Sequence, residues 1–305
     1  MLLGIDPKVD YAFKHLFGRD ATKSLLISVI DSVLKPAPGH EIRDIELRNP
    51  FNPKESLDDK LCILDIKARD QSGRQFNVEM QMLSMHSYVK RILFYWTTLH
   101  REQLLEGDPY EGLRPTISIS FLNHVLFPEV TDFHLRFRLL EQNYHFPLSE
   151  DIEFHVLELP KFTKTADQLA GDLDIWLYFL RNAEKMDAMA LPLPIRQPLI
   201  VRAFEELKML TQNDIERERY WARFKALSDH NTYVLEARED GFKKGLEEGI
   251  EQGIEQGVRQ GKLDLVQTLE RLLNRSETSD EVLATRTLSE LSDYANELQR
   301  CLIER

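Results

Sequence analysis

Cysteine is scarce in this chain of 305 residues, which contains only Cys62 and Cys301. Two cysteines so far apart in the sequence do not indicate a disulfide framework or a cysteine-rich zinc site. The composition therefore argues against a small disulfide-stapled secreted domain. It favours a reducing compartment, and we expect a cytoplasmic protein.

Long hydrophobic runs are also missing. No run of about 18 apolar residues occurs, so no membrane-spanning helix is expected. The first ten residues, MLLGIDPKVD, have neither a basic start nor an extended apolar region, so we expect no signal peptide. Hydrophobic residues make up 42% of the chain, enough to bury a sizeable core in one large domain with appendages or in two domains.

The chain has no excess of positive charge, and its formal net charge is −12. Such a balance argues against broad, tight, non-specific binding to nucleic acids. The imbalance is uneven, however. Residues 1–110 carry 15 Lys and Arg against 16 Asp and Glu, whereas residues 111–305 carry 24 against 35. Basic residues in the nearly neutral first part could still contact a phosphate backbone.

One stretch of the chain is strongly patterned. In it, apolar and polar residues alternate at the period of a β-strand. From Leu57 to Gln81 it reads LDDKLCILDIKARDQSGRQFNVEMQ. The apolar positions are Cys62, Leu64, Ile66 and Ala68 in the first half and Phe76, Val78, Met80 and Met82 in the second. The pattern predicts a β-hairpin with one buried face.

The turn of this hairpin predicts its register. Gly73 suits the left-handed position of a three-residue loop, which would pair Asp70 with Arg74. Counting back along both strands puts Asp65 opposite Glu79, with Gln81 on the same polar face. Facing carboxylates repel each other, and a divalent cation such as Mg²⁺ would turn that repulsion into binding. The pattern is thus compatible with a metal-dependent phosphodiesterase site, and also with an ordinary solvated polar face.

Asp65 followed by Glu79-Met80-Gln81 resembles the D…(D/E)-x-K signature of the PD-(D/E)XK nuclease superfamily, with Gln in place of Lys. The segment from Asp10 to Gly18, DYAFKHLFG, resembles the opening motif of the recombination-promoting nuclease and putative transposase family. Further residues match the core block of that family and the helix after it: Lys60, Asp65, Gly73, Val78–Gln81, Arg91, Tyr95, Trp96, His100, Gln103, Gly107 and Tyr110. The resemblance is good over residues 4–125 and is found again in the glycine-rich tail.

The resemblance implies an α/β fold with a PD-(D/E)XK restriction-endonuclease-like core, in which helices flank a mixed sheet, followed by a helical C-terminal region. We expect a nuclease-like domain over residues 1–160, a helical region packed on it over 161–235, and a tail over 236–305. The implied activity is that of a metal-dependent DNA endonuclease linked to recombination or mobile elements. An RNase, or a non-catalytic interaction protein acting through its helical tail, remains an alternative.

The resemblance also implies roles for single residues. Asp65 and Glu79 would bind Mg²⁺, joined by Asp10 from the first helix. Gln81 would orient the attacking water, and Lys60 or Lys67 would steady the phosphate. Arg91 and Lys14 are candidate substrate contacts. Plainer interpretations also hold, because Asp10 and Lys14 could form an i,i+4 ion pair and Arg91 could be a buried structural residue.

The sequence indicates two further helical segments. The first, Ser84 to Glu106, is predicted to be amphipathic, with an inward face of Val89, Ile92, Leu93, Trp96, Leu99 and Leu104. In the second, glycine recurs at every fourth position from Gly241 to Gly261. Each helical glycine costs about 1 kcal/mol relative to alanine, so we expect a conditional helix used in self-association and hence a homo-oligomer. A flexible linker is the alternative interpretation.

Overall fold

The computed structural model describes residues 3–48, 66–85, 87–187 and 190–304, and the chain divides into two compact units, Met1–Asp229 and His230–Arg305. The described strands are β1 Ile45–Leu47, β2 Ile66–Asp70, β3 Gln75–Gln81, β4 Thr116–Leu122, β5 His134–Arg138 and β6 Ile152–Glu158. The described helices are α1 Asp10–Phe17, α2 Lys23–Leu34, α3 Tyr88–Arg101, α4 Asp172–Asn182, α5 Pro198–Gln212, α6 Asp214–Leu272, α7 Asp280–Ala284 and α8 Leu288–Ile303.

The first unit is built on one mixed sheet with the strand order β1-β2-β3-β4-β6-β5. The β3–β4 and β4–β6 pairs are parallel, and the remaining pairs are antiparallel. The parallel β3–β4 pair needs a crossover, and α3 supplies it. The mixed sheet with flanking helices confirms the predicted PD-(D/E)XK-like architecture.

Two hydrophobic clusters cover the two faces of this sheet. On one face, residues such as Val78, Met80 and Phe121 pack with α1, α2, α4 and α5. The ring of Phe13 on α1 lies 6.1 Å from that of Phe121. On the other face, Tyr88, Ile92 and Trp96 of α3 pack on residues of β4 and β6. Strand β3 is therefore covered on both sides, and all seven of its residues are buried.

This double cover corrects the predicted hairpin, for which one buried face was expected. The polar face of β3 is buried as well, because α3 crosses over it. The helix presents Tyr88, Ile92, Trp96 and Leu99 to the sheet. Val89 and Leu93, which were expected to face inward, are 42% and 47% exposed.

The second unit contains the C-terminal part of α6 together with α7 and α8. Its own small core consists of Val266, Leu269, Leu283, Leu291, Ala295 and Leu298. The glycine repeat lies inside α6, a helix of 59 residues, so the structure gives this segment a helical conformation. No described helix is both long enough and apolar enough to span a membrane.

Candidate active site

Glu79 is a fully buried carboxylate on a central strand of the sheet. Its Oε1 accepts hydrogen bonds from the Tyr88 hydroxyl at 3.0 Å and from the Ser120 hydroxyl at 3.4 Å. Its Oε2 lies 3.8 Å from Nη2 of Arg91. An ionised carboxylate is costly to bury without partners, and these three side chains offset that cost.

Arg91 connects the two polar residues of the Glu-x-Gln motif. Its Nη2 donates to Oε1 of Gln81 at 2.6 Å while lying within ion-pair distance of Glu79. Its guanidinium also lies 5.0 Å from the ring centroid of Tyr88, a cation–π contact. The other end of the Gln81 amide, Nε2, donates to the backbone carbonyl of Leu83 at 2.7 Å. Gln81 is thus held in one orientation from both ends.

Tyr88 remains a neutral donor to Glu79. Burial, and after it the negative charge of Glu79, raise the pKa of the Tyr88 hydroxyl well above its ordinary value. Neither Tyr88 nor Ser120 was predicted from the sequence to be a site residue. A signal for Ser120 existed, because Thr116, Ser118 and Ser120 alternate with apolar residues along β4 and Ser120 pairs with Glu79.

The hairpin turn forms as the sequence predicts. Gly73 has a φ of +90°, which glycine adopts without strain. The Asp70 side chain accepts hydrogen bonds from the backbone amides of Ser72 and Arg74, each at 2.9 Å. The resulting register pairs Lys67 with Asn77 and Ile66 with Val78.

That register is the one from which Asp65 was predicted to face Glu79. Asp65 itself lies outside the described residues, as does Lys60. Their roles as metal ligand and phosphate contact remain predictions.

Asp10 and Lys14 lie on α1, in the helical layer opposite α3. Burial raises the pKa of the Asp10 carboxyl, while the charges of Arg223 and Lys14 act in the opposite direction. The Lys14 side chain is buried. Neither the metal-binding role of Asp10 nor the substrate role of Lys14 is tested by these contacts, and both remain predictions.

Lys67 lies on the polar face of β2, opposite Asn77, which is two residues from Glu79 along β3. Its Nζ lies 3.7 Å from a carboxylate oxygen of Glu102, just beyond the end of α3. Lys67 is therefore on the face predicted for it, but its described ion pair is with Glu102.

Other family-motif residues, on α3 and just after it, attach the helix to the first residue of β4. Trp96 Nε1 donates to the carbonyl of Thr116 at 2.7 Å. His100 Nδ1 lies 2.9 Å from the Thr116 hydroxyl, and Gln103 donates to the same hydroxyl at 3.0 Å. These residues fix the helix that carries Tyr88 and Arg91, so they act on the site through its geometry.

The chemistry of these side chains fits a hard divalent cation. Glu79 supplies a carboxylate oxygen whose hydroxyl partners, Tyr88 and Ser120, are neutral. Sites for Mg²⁺ commonly use one or two carboxylates and complete the shell with water and substrate phosphate. Within the described ranges, no group of three His, Cys, Asp or Glu side chains is placed to hold a metal. The second predicted ligand, Asp65, lies outside those ranges.

Comparison with known proteins identifies the family of this chain. The family described as PD-(D/E)XK nuclease family transposase matches the chain over residues 7–237. Neither the curated proteins nor the solved structures gave a match. The matched range includes the whole sheet, α3 with Tyr88 and Arg91, and helices α1 to α5. Three quarters of the chain are thus covered, and this protein belongs to the PD-(D/E)XK nuclease family transposases.

Proposed function

We propose that the protein is a metal-dependent DNA endonuclease that hydrolyses phosphodiester bonds, in keeping with a mobile-element or recombination role. The observation that carries the proposal is the fully buried Glu79 carboxylate, held beside Gln81 by Tyr88, Ser120 and Arg91. An apolar residue would be cheaper at this position of a central strand, so the buried carboxylate favours a functional role.

In this proposal Glu79 and Asp65 hold the divalent cation. A bound cation would activate water and stabilise negative charge on the phosphodiester. Gln81 accepts a hydrogen bond from Arg91 through one lone pair of Oε1, which leaves the second lone pair for the hydrogen of an attacking water. Mg²⁺ is the metal we expect.

Arg91 takes over the charge that a lysine supplies in the Glu-x-Lys signature. It contacts the Gln81 side chain and lies near Glu79, whereas Lys67 pairs with Glu102 in the described structure. We therefore assign Arg91 as a positioning residue that also supplies positive charge beside Gln81. Lys60 and Lys67 remain proposed contacts for the substrate phosphate.

The test is nicking of supercoiled plasmid with Mg²⁺ or Mn²⁺ by wild type, Glu79→Gln, Asp65→Asn and Arg91→Gln. We expect the two carboxylate variants to lose at least roughly 100-fold in rate, because they remove charge from the reacting centre. Arg91→Gln should lose about 10- to 100-fold, as expected for a residue that orients others. A chelator should abolish cleavage by the wild type.

Glu205→Gln is the matched control, because it neutralises an exposed carboxylate on α5 and should cleave like the wild type. The proposal fails if Glu79→Gln cleaves as fast as this control. It also fails if the wild type leaves supercoiled, linear and single-stranded DNA intact with both metals. RNA would then be the next substrate to test.

We also propose that α6 mediates self-association. Its exposed apolar residues recur every four positions, each directly after a repeat glycine: Phe242, Leu246, Ile250, Ile254 and Val258. Apolar side chains beside a glycine stripe suit the close approach of a second helix. A non-catalytic interaction protein would use this same surface, so the surface also supports the alternative function. That alternative would be favoured if both DNA and RNA stay intact in the cleavage assay.

A further inference from the structure

Four positively charged side chains line one cavity beside the hairpin. The cavity measures about 430 Å³ and lies between β2 and the region just after α3. The cations are Arg48, Lys67, Arg69 and Arg114, and among the described residues of the lining Glu102 is the one acidic side chain. The lining is therefore positively charged, although the whole chain has a net charge of −12.

The cavity continues the polar face that carries Glu79. Lys67 pairs with Asn77, and Arg69 pairs with Gln75, so both pairs follow Glu79 along the same face of the hairpin. Two residues along an antiparallel strand advance about 7 Å. That step is close to the separation of successive phosphates along a nucleic-acid strand. Lys67 and Arg69 are thus spaced to meet the first and second phosphates beyond a bond held at Glu79.

Arg114 is held in place by the hairpin turn. A Cβ atom on Gly73 would lie 3.1 Å from Cγ of Arg114, so the arginine stem packs directly over the glycine. The Arg114 Nη1 donates to the carbonyls of Glu111 and Leu113, both at 3.2 Å. The Gln103 side chain accepts a hydrogen bond from the Arg114 backbone amide at 3.0 Å. The side chain is therefore positioned without a carboxylate partner among these contacts.

Solvent reaches the cations of the cavity. Arg69 and Arg114 are exposed, and the described ion pair of Arg48, with Glu46 at 3.3 Å, is exposed to solvent. The Lys67–Glu102 pair is 3.7 Å long and partly exposed. Exposed pairs of this kind contribute little, so a phosphate can compete for their cations.

We propose that this cavity is the binding groove for the phosphodiester backbone of the substrate strand on one side of the scissile bond. The inference rests on the proposed nuclease function and adds the residues that hold the strand. The groove contacts phosphates, so it binds DNA and RNA strands alike, and the cleavage site selects between them.

The test measures binding without cleavage, in chelator, by fluorescence anisotropy of labelled single-stranded DNA, duplex DNA and single-stranded RNA over a salt series. The variant is Arg69→Gln/Arg114→Gln, and the control is Lys185→Gln/Lys208→Gln, which removes two charges from exposed lysines elsewhere in the first unit. We expect the groove variant to bind at least about tenfold more weakly at moderate salt. The slope of log affinity against log salt should fall by about 1.4 for single strands and about 1.8 for duplex.

The inference is overturned if the groove variant binds with the affinity and salt slope of the control, or if the wild type binds none of the three probes. Circular dichroism of both variants checks that each is folded. Failure of the groove is distinguishable from failure of the nuclease. If the wild type binds through Arg69 and Arg114 but cleaves no nucleic acid, the groove is supported and the nuclease function is not. If the wild type cleaves but the groove variant binds as well as the control, the nuclease function is supported and the groove is not.

Discussion

At the scale of single residues, the polar groups under α3 form a set whose members support one another. Tyr88 and Ser120 solvate one oxygen of Glu79, and Arg91 connects Glu79 with Gln81. A single truncation leaves a buried polar group without its partner, which costs about 1–3 kcal/mol. Stability and activity are therefore coupled at this site, and variants there need a folding control.

His15 on α1 should make the stability of the folded state depend on pH. Burial, and after it the positive charge of Arg19, lower the pKa of His15 to about 3. A histidine whose pKa is depressed in the folded state makes its full contribution to stability above its unfolded pKa of about 6.5. This contribution is lost as the pH falls towards the folded pKa of about 3. Between pH 7 and pH 5 the loss is about 2 kcal/mol in the free energy of unfolding.

Urea denaturation at pH 7 and pH 5 measures this loss. We expect His15→Phe to show a pH dependence smaller by about that amount than the wild type. His40→Gln, at an exposed position, should keep the wild-type dependence. Equal pH dependence in His15→Phe and the wild type would contradict the assignment.

At the scale of elements, α3 and the β2–β3 hairpin together make the site. The hairpin turn, with Gly73 and the Asp70 side chain, sets the register that places Lys67 and Glu79 on one face. Helix α3 then covers that face and is fastened to Thr116 by Trp96 and Gln103. Neither element is sufficient alone, because the Glu79 carboxylate comes from one and its partner Arg91 from the other.

The glycine repeat allows an element-scale prediction about self-association. A Cβ added at Gly249 or Gly253 would meet nothing within 4 Å, so alanine fits there in the single chain. Gly249→Ala/Gly253→Ala should therefore stabilise an isolated helix by about 2 kcal/mol. If the glycines let a second helix approach, the added methyl groups should raise the dissociation constant of the oligomer by about tenfold or more.

Sedimentation equilibrium, with circular dichroism on the same samples, separates the two effects. Gln252→Ala/Gln256→Ala is the matched control on the same helix and should associate like the wild type. The result that supports the interface is higher helix content with weaker association in the glycine variant alone. Unchanged or tighter association in that variant would rule the glycine stripe out as the contact.

At the scale of the whole molecule, the chain has separate cores in its two units. The core of the first unit runs from Ile5 to Tyr220 in sequence, and that of the second is built from six residues between Val266 and Leu298. Separate cores unfold as separate cooperative units. We expect two transitions in calorimetry, with the smaller one belonging to the second unit.

Leu291→Asp tests this assignment, because Leu291 is fully buried in the small core. A buried unpaired charge should abolish or strongly lower the smaller transition and leave the larger one within a degree or two. Leu177→Asp, at an equally buried position in the first unit, should do the reverse. A single transition that shifts as a whole in both variants would show that the units unfold together.

Much of this architecture could be predicted from local sequence patterns. The alternation and the Asp70–Gly73 turn predicted the hairpin and its register, because turn chemistry and period-two patterning act between neighbours in sequence. The family motifs predicted the mixed sheet and indicated Glu79 and Gln81 as candidate site residues, and the fourfold glycine spacing was evident without a structure.

Only the tertiary structure decided which groups surround those residues. The burial of the polar face of β3, the exposure of Val89 and Leu93, and the contact of Arg91 with Gln81 all depend on how α3 crosses the sheet. The cationic groove likewise joins residues from β2, from the segment after β1 and from the segment before β4. Sequence periodicity specifies which face of an element is apolar. It does not specify which distant element covers the polar face, because that follows from the packing of elements that lie far apart in the sequence.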